Sequence, residues 1–242
     1  MNRSIILVGS LTVLALMLGT AAGEGLGNTS FAVYLTEPAL HPAPQDFVSA
    51  TGDSVGSFNL PVAPHQYVSY LQEKVGSLSP GEIVTATFTI PSAATFLGNP
   101  DGHNSGANHV RIFFKSQLPE GFNTNPAIPG LNEYTYWWSN PVSYSFGDKT
   151  SGTTHLSGGS VVISVSGALI TVTLTVTVSP AYWSDIYGHF GTYNSSTETG
   201  FTAALSGVTD LGLSFGSGSY FANGVGVTQG VNTFTLNDFS AS

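Results

Sequence analysis

Aromatic side chains standing beside amides and carboxylates are the residues of this chain best able to do chemistry. Tyr182, Trp183 and Tyr187 flank Asp185, with Tyr193 shortly after, and the pair Trp137-Trp138 stands just upstream of Asn140. A sugar ring offers patches of C–H groups that stack on an aromatic face, while amides and carboxylates bond its hydroxyls. Trp183, Tyr182, Trp138 and Tyr187 are therefore the expected stacking platforms, and Asp185 and Asn140 their hydrogen-bonding partners. Because neighbouring residues on a strand point to opposite faces, one of Trp137 and Trp138 must leave the core side. The alternative role for all these rings is to cap the ends of a β-core.

A second group collects oxygen and imidazole ligands in Asn99-Pro100-Asp101-Gly102-His103-Asn104-Ser105-Gly106-Ala107-Asn108-His109. Calcium takes carboxylate, amide and backbone oxygens from turn-rich loops, and Asp101 with Asn104 or Asn99 could supply them. The spacing is not that of an EF-hand loop. His103 and His109 could contribute to a zinc site only with a third ligand from elsewhere. A solvated Asx/Gly turn explains the same residues without a metal.

Catalysis is poorly supported. No His-Glu-x-x-His pattern occurs, and the carboxylates that a glycosidase would need in pairs (Glu120, Glu133, Asp148, Asp185) are isolated in sequence. Thr171, Thr173, Thr175 and Thr177 form a row on one strand face. Binding to ice or another crystal needs such rows on several adjacent strands, and one is legible here, so an ordinary solvent face of good strand formers is expected.

The elements that must position these residues are strands. Between Val161 and Val178, Val161, Ile163 and Val165 alternate with polar residues, Ser166-Gly167 reads as a turn, and Ile170, Val172, Leu174, Val176 and Val178 alternate with threonines. That is an antiparallel hairpin with one buried face. Further strands are predicted at 82–90, 109–117, 134–146 (interrupted at Asn140-Pro141), 211–215, 220–227 and 233–239, with weaker ones at 31–35, 54–60 and 67–72. The one predicted helical turn is Gly200 to Gly207, where Phe201, Ala204 and Leu205 share a face. Segments 91–108 and 120–132 read as long loops, which inside a compact domain are usually functional or disordered. The pattern predicts an all-β chain: a two-sheet antiparallel sandwich of jelly-roll type with at most one short helix.

Composition narrows the partners. Five Lys and Arg stand against fourteen Asp and Glu, a net charge of −9 at pH 7, and charged residues make up 8% of the chain. A phosphate backbone demands a basic footprint that is missing here, so nucleic acid is excluded as a partner. There is no cysteine, and both methionines, Met1 and Met17, lie near the N-terminus, which rules out disulfides, zinc–thiolate centres and thiol nucleophiles. Arg3, the apolar run Ile5 to Leu18 and the small residues Gly19-Thr20-Ala21-Ala22-Gly23 read as a cleaved secretory signal over 1–23. Residues 24–242 then form one exported domain with no membrane span.

Two resemblances attach to particular residues. Tyr136-Trp137-Trp138-Ser139-Asn140-Pro141, Tyr182-Trp183-Ser184-Asp185, Gly188-His189-Phe190-Gly191 and Phe201-Thr202-Ala203-Ala204-Leu205, with the closing segments around Leu211, Phe221 and Phe234, resemble secreted bacterial surface proteins of the PEP-CTERM type. Those proteins end in a Pro-Glu-Pro signal, a hydrophobic span and a basic tail, whereas this sequence ends at Ser240-Ala241-Ser242, so release or noncovalent retention is the expectation. Leu78-Ser79-Pro80-Gly81-Glu82-Ile83 and Leu236-Asn237-Asp238-Phe239 look like strands of jelly-roll carbohydrate-binding modules, a resemblance that implies a structural calcium near Asp238. The expectation is an exported, noncatalytic protein of the cell surface or extracellular matrix that binds extracellular polysaccharide. The alternatives are an assembly protein whose partners are other surface proteins and, more remotely, a glycan hydrolase or lyase.

Overall fold

A computed structural model of the protein describes residues 31–36, 45–49, 56–63, 67–99, 108–119, 122, 132–216 and 223–242. In chain order the strands are β1 (Ala32–Thr36), β2 (Gln45–Ser49), β3 (Ser57–Asn59), β4 (Tyr67–Lys74), β5 (Ile83–Pro91), β6 (Thr95–Gly98), β7 (His109–Ser116) and β8 (Tyr136–Ser145). Then come β9 (Gly152–Leu156), β10 (Gly159–Ser166), β11 (Leu169–Thr177), β12 (Trp183–Ser184), helix α1 (Ser195–Leu205), β13 (Val208–Phe215), β14 (Val225–Gln229) and β15 (Thr233–Ala241).

These strands make the two-sheet antiparallel sandwich that the alternation predicts. One sheet runs β12-β8-β7-β13-β4-β1-β2, with β14 bridging β4 and β6; the other runs β3-β15-β5-β11-β10-β9. Inward residues of the two sheets meet in one core. Phe88 stacks on Phe234 at 4.9 Å and Phe96 on Phe146 at 4.5 Å, with Val172, Leu174, Leu211 and Leu213 fully buried around them. The β10–β11 turn falls at Gly167-Ala168, one residue later than expected, because Ser166 still pairs with Leu169.

β8 runs through Asn140-Pro141 instead of stopping there. Its register against β7 jumps from Arg111↔Ser143 to Phe113↔Trp138, so residues 139–142 bulge opposite Ile112. Ser139 Oγ accepts the Ile112 N–H at 3.1 Å and donates to the Val142 carbonyl at 3.0 Å, standing in for the missing ladder bonds. A bulge lets a strand carry a proline that lacks a donor.

Helix α1 begins five residues before the predicted turn. Asn194 Oδ1 accepts the Thr197 N–H at 2.9 Å as an N-cap, and Thr197, Gly200, Phe201, Ala204 and Leu205 make a buried face of helical period. Four strands were not legible in the sequence: β2, over Gln45–Ser49, falls in no predicted segment. β6 lies inside the segment read as loop, β9 has no buried residue to reveal it, and β12 is two residues long. No helix among the described residues is long and apolar enough to cross a membrane.

Candidate functional site

The candidate site is the miniature hairpin that carries the chain away from β11. Trp183 and Ser184 pair with Ser139 and Trp138 at the edge of the larger sheet. The chain turns at Asp185-Ile186-Tyr187-Gly188 and returns, with Ser184 bridged to Phe190 and the Gly191 N–H donating to the Trp183 carbonyl at 3.0 Å. Asp185 holds the turn together. Its Oδ1 accepts the N–H groups of Tyr187 and His189, both at 2.9 Å, and its own N–H donates to the His189 carbonyl at 2.9 Å. Gly188 supplies the positive φ of 80° that closes the turn.

This frame turns three rings outward. Tyr187 is 58% and Tyr193 63% exposed, and the His189 imidazole between them stacks on Tyr193 at 4.2 Å with planes 8° apart. Tyr187 approaches His189 at 6.0 Å. Phe190 is exposed beside them, while Ile186 turns inward to join Tyr70, Phe113 and Trp138 in an apolar cluster on the outer face of the larger sheet. The turn is thus fastened by a buried side chain and a buried carboxylate, and its outer rim is aromatic.

Burial pushes the Asp185 carboxyl above the ordinary aspartate value. The N–H bonds from His189 and Tyr187 and the nearby imidazole pull it down, and Glu133 adds to the rise. His189 Nδ1 lies 3.6 Å from Asp185 Oδ2, a contact that becomes an ion pair when the imidazole is protonated. The Tyr134 phenol is pushed up to about 12 by burial and then by its hydrogen bond with Glu133. Chemically, the rim offers stacking faces with an imidazole donor or acceptor among them.

The residues expected to form a site separate into different environments. Trp183 is fully buried, packed on Phe114 at 5.1 Å with Nε1 donating to the Thr177 carbonyl at 3.0 Å. Trp138 does leave the core side while Trp137 enters it, yet Trp138 is also fully buried, stacked on Tyr136 at 5.7 Å. Neither indole presents a face to solvent, so the stacking role assigned to both is corrected: Trp183 packs in the core between the sheets and Trp138 in the apolar cluster on the outer face of the larger sheet. Tyr182 is half-buried with its ring over Gly158, where an added Cβ would come within 2.1 Å of Tyr182 Cδ2. Asp185 is buried and spends Oδ1 on the turn, so its expected role as a sugar partner gives way to a structural one. Tyr187 is the one expected platform on the rim; Asn140 sits half-buried in the β8 bulge next to the Ser139–Trp183 pairing.

Of the expected metal ligands, Asp101 and Asn104 lie outside the described residues. Asp238 is exposed on β15 of the other sheet, opposite Thr87. No group of three or more His, Asp or Glu among the described residues could hold a metal ion. Burial and then the charge of Arg111 push the His109 imidazole below its usual value.

Sequence reading missed His189 and Tyr193 as a pair. Their signal is an Asp followed at the second and fourth positions by residues whose N–H groups it caps, with glycine between. Gly-x-Ser-x-Gly, the nucleophile-elbow pattern, also occurs at Gly52-Asp53-Ser54-Val55-Gly56 and Gly212-Leu213-Ser214-Phe215-Gly216. In the second, Ser214 is fully buried and paired on both sides within β13, not set on a turn. Ser54 of the first lies outside the described residues.

No protein-family model matches this chain, and no curated protein and no solved structure shows significant similarity to it.

Proposed function

We propose that this protein is an exported β-sandwich that binds extracellular polysaccharide through the aromatic rim formed by Tyr187, His189 and Tyr193. The observation that carries the reading is the flat stack of His189 on Tyr193, two rings held ready on a turn that Asp185 fixes from behind. Rigid exposed rings lose little freedom on binding, which is why they serve as recognition platforms. The signal-like N-terminus and the small charge content support export and an uncharged ligand. The His189 imidazole within the rim is the polar group available to hydrogen-bond sugar hydroxyls.

The test is retention of the folded chain on a panel of soluble and insoluble polysaccharides, with and without EDTA, beside Tyr187→Ala and Tyr193→Ala. Retention lost in both variants supports the rim as the site, and the EDTA arm reports whether a metal takes part. No retention of the unaltered chain on any glycan overturns the reading.

A rival reading, assembly with other copies or other surface proteins, draws on β9. It is the outer strand of the smaller sheet, four of its five residues are exposed, and it carries no Lys, Glu, Asp or Pro to discourage edge-to-edge pairing. Oligomers that grow with concentration in sedimentation favour it over glycan binding.

A further inference from the structure

The outer face of the smaller sheet carries a two-dimensional hydroxyl grid. Thr235, Thr89, Thr171 and Ser164 lie in one row across β15, β5, β11 and β10. The next row is Asp238, Thr87, Thr173 and Val162, and the third is Ser240, Thr85, Thr175 and Ser160. The rows on several adjacent strands that the sequence left invisible are therefore present. The alternate residues Val84, Ala86, Phe88, Val172, Leu174 and Val176 are all fully buried, which fixes the grid on the outer face.

The grid is ordered as well as repeated. Thr87 and Thr173 bring their hydroxyl oxygens to 3.0 Å and Thr89 and Thr171 to 3.3 Å, while Thr89 also donates to Asn237 Oδ1 at 2.9 Å. β-Branching already restricts each χ1, and these bonds further hold the side chains of Thr87, Thr89, Thr171 and Thr173 at the centre of the grid. Strand geometry spaces them about 4.8 Å across the sheet and about 6.7 Å along it. Sheet twist of about 20° per strand, and the bulge at Asn237 in β15, confine good planarity to the central strands β5 and β11.

The chemistry of the grid selects its partner. Eleven of the twelve positions named carry no ionisable group, Asp238 at the β15 side being the exception, in a chain with a net charge of −9. A mineral surface calls for rows of carboxylates, a polyphosphate for Lys and Arg, and a glycan fibre for aromatic faces; the grid has none of these. Fixed hydroxyls and methyls at lattice intervals match a solid whose own surface repeats uncharged hydrogen-bonding groups at comparable distances. We infer that this face binds ice, with the Thr85–Thr89 and Thr171–Thr175 rows as its centre. The inference is independent of the aromatic rim, which lies on the hairpin beside the other sheet.

The experiment is partition of the full chain into a slowly growing ice front, together with ice-recrystallisation assays, for the unaltered protein, Thr173→Lys and Tyr193→Ala. The expected result is several-fold enrichment in the ice over an inert protein of similar size. Thr173→Lys should fall to the inert level with unchanged circular dichroism, and Tyr193→Ala should partition like the unaltered chain. Should Thr173→Lys misfold, Val162→Lys tests the same row from an exposed position and should reduce partition likewise. Enrichment no greater than the inert protein, or equal enrichment of a folded lysine variant, overturns the inference. So does sedimentation showing that the face joins two copies, a dimer that Thr173→Lys dissociates without any effect on ice.

Discussion

The His189 imidazole lies flat on the Tyr193 ring, centroids 4.2 Å apart and planes 8° from parallel. Tyr193 is exposed by 63% and makes this contact over one face, so it contributes to the rim more than to the fold. Tyr193→Ala and Tyr187→Ala are each expected to weaken polysaccharide retention about fivefold, the equivalent of an aromatic contact of about 1 kcal/mol. Thermal unfolding should stay within about 0.5 kcal/mol of the unaltered chain, as for other exposed positions. Affinity electrophoresis beside calorimetry separates the two effects.

Trp183→Ala should behave in the opposite way. The indole fills the space beside Phe114 and its N–H satisfies the Thr177 carbonyl, so truncation leaves both a cavity and an unpaired acceptor. A loss of about 3–5 kcal/mol is expected, a large part of a domain's net stability. Trp183→Phe keeps most of the volume and should cost about 1–2 kcal/mol. Urea unfolding of the two variants checks the order; equal stability of Trp183→Ala and the unaltered chain would place the indole outside the core.

These two cases show what could be read from residues and what could not. Alternation of Val and Thr made β10 and β11 legible because one face of that hairpin is buried and the other is not. β9 was silent because four of its five residues are exposed and only Leu156 reaches the core. Trp183 and Tyr193 are both aromatics in a polar connection, and nothing local distinguishes them. What separates them is the pairing of β12 with β8, a contact between residues more than forty positions apart. The threonine grid was hidden for the same reason: the row on β11 is legible by itself, but its alignment with the residues of β5, β10 and β15 depends on registers that only the folded sheets define.

Asp185 gives a pH dependence whose sign is set by burial. Its folded value is raised above the ordinary 3.8, so the folded state holds this proton more tightly than the unfolded chain. The resulting stabilisation is fully present below 3.8 and is lost as pH rises through the raised value. Asp185→Asn retains an Oδ1 acceptor for the Tyr187 and His189 N–H groups while removing the buried charge. The unaltered chain should therefore lose stability relative to Asp185→Asn as pH climbs from 3.8 toward neutrality. Chemical denaturation across that window measures the difference; a difference that is flat, or that changes in the opposite direction, rejects the assignment. Asp185→Ala, which leaves two N–H groups without their acceptor, should cost about 2 kcal/mol at any pH.

Gly200 opposes two effects whose magnitudes decide the outcome. It lies inside helix α1, where replacing glycine by alanine ordinarily stabilises by about 1 kcal/mol. Here an added Cβ would come within 2.4 Å of Tyr134 Cγ and 2.5 Å of Cδ2. The obstacle is a buried ring stacked on Trp137 at 6.1 Å, not the far end of a flexible side chain, so it has little room to withdraw. Overpacking of this kind costs about 1–3 kcal/mol and should outweigh the gain in helix propensity. Gly200→Ala is expected to lower stability. Gly200→Ala in combination with Tyr134→Leu, which vacates the ring, should recover part of the loss in a double-mutant cycle. Additive losses would mean that the ring and the new methyl never met.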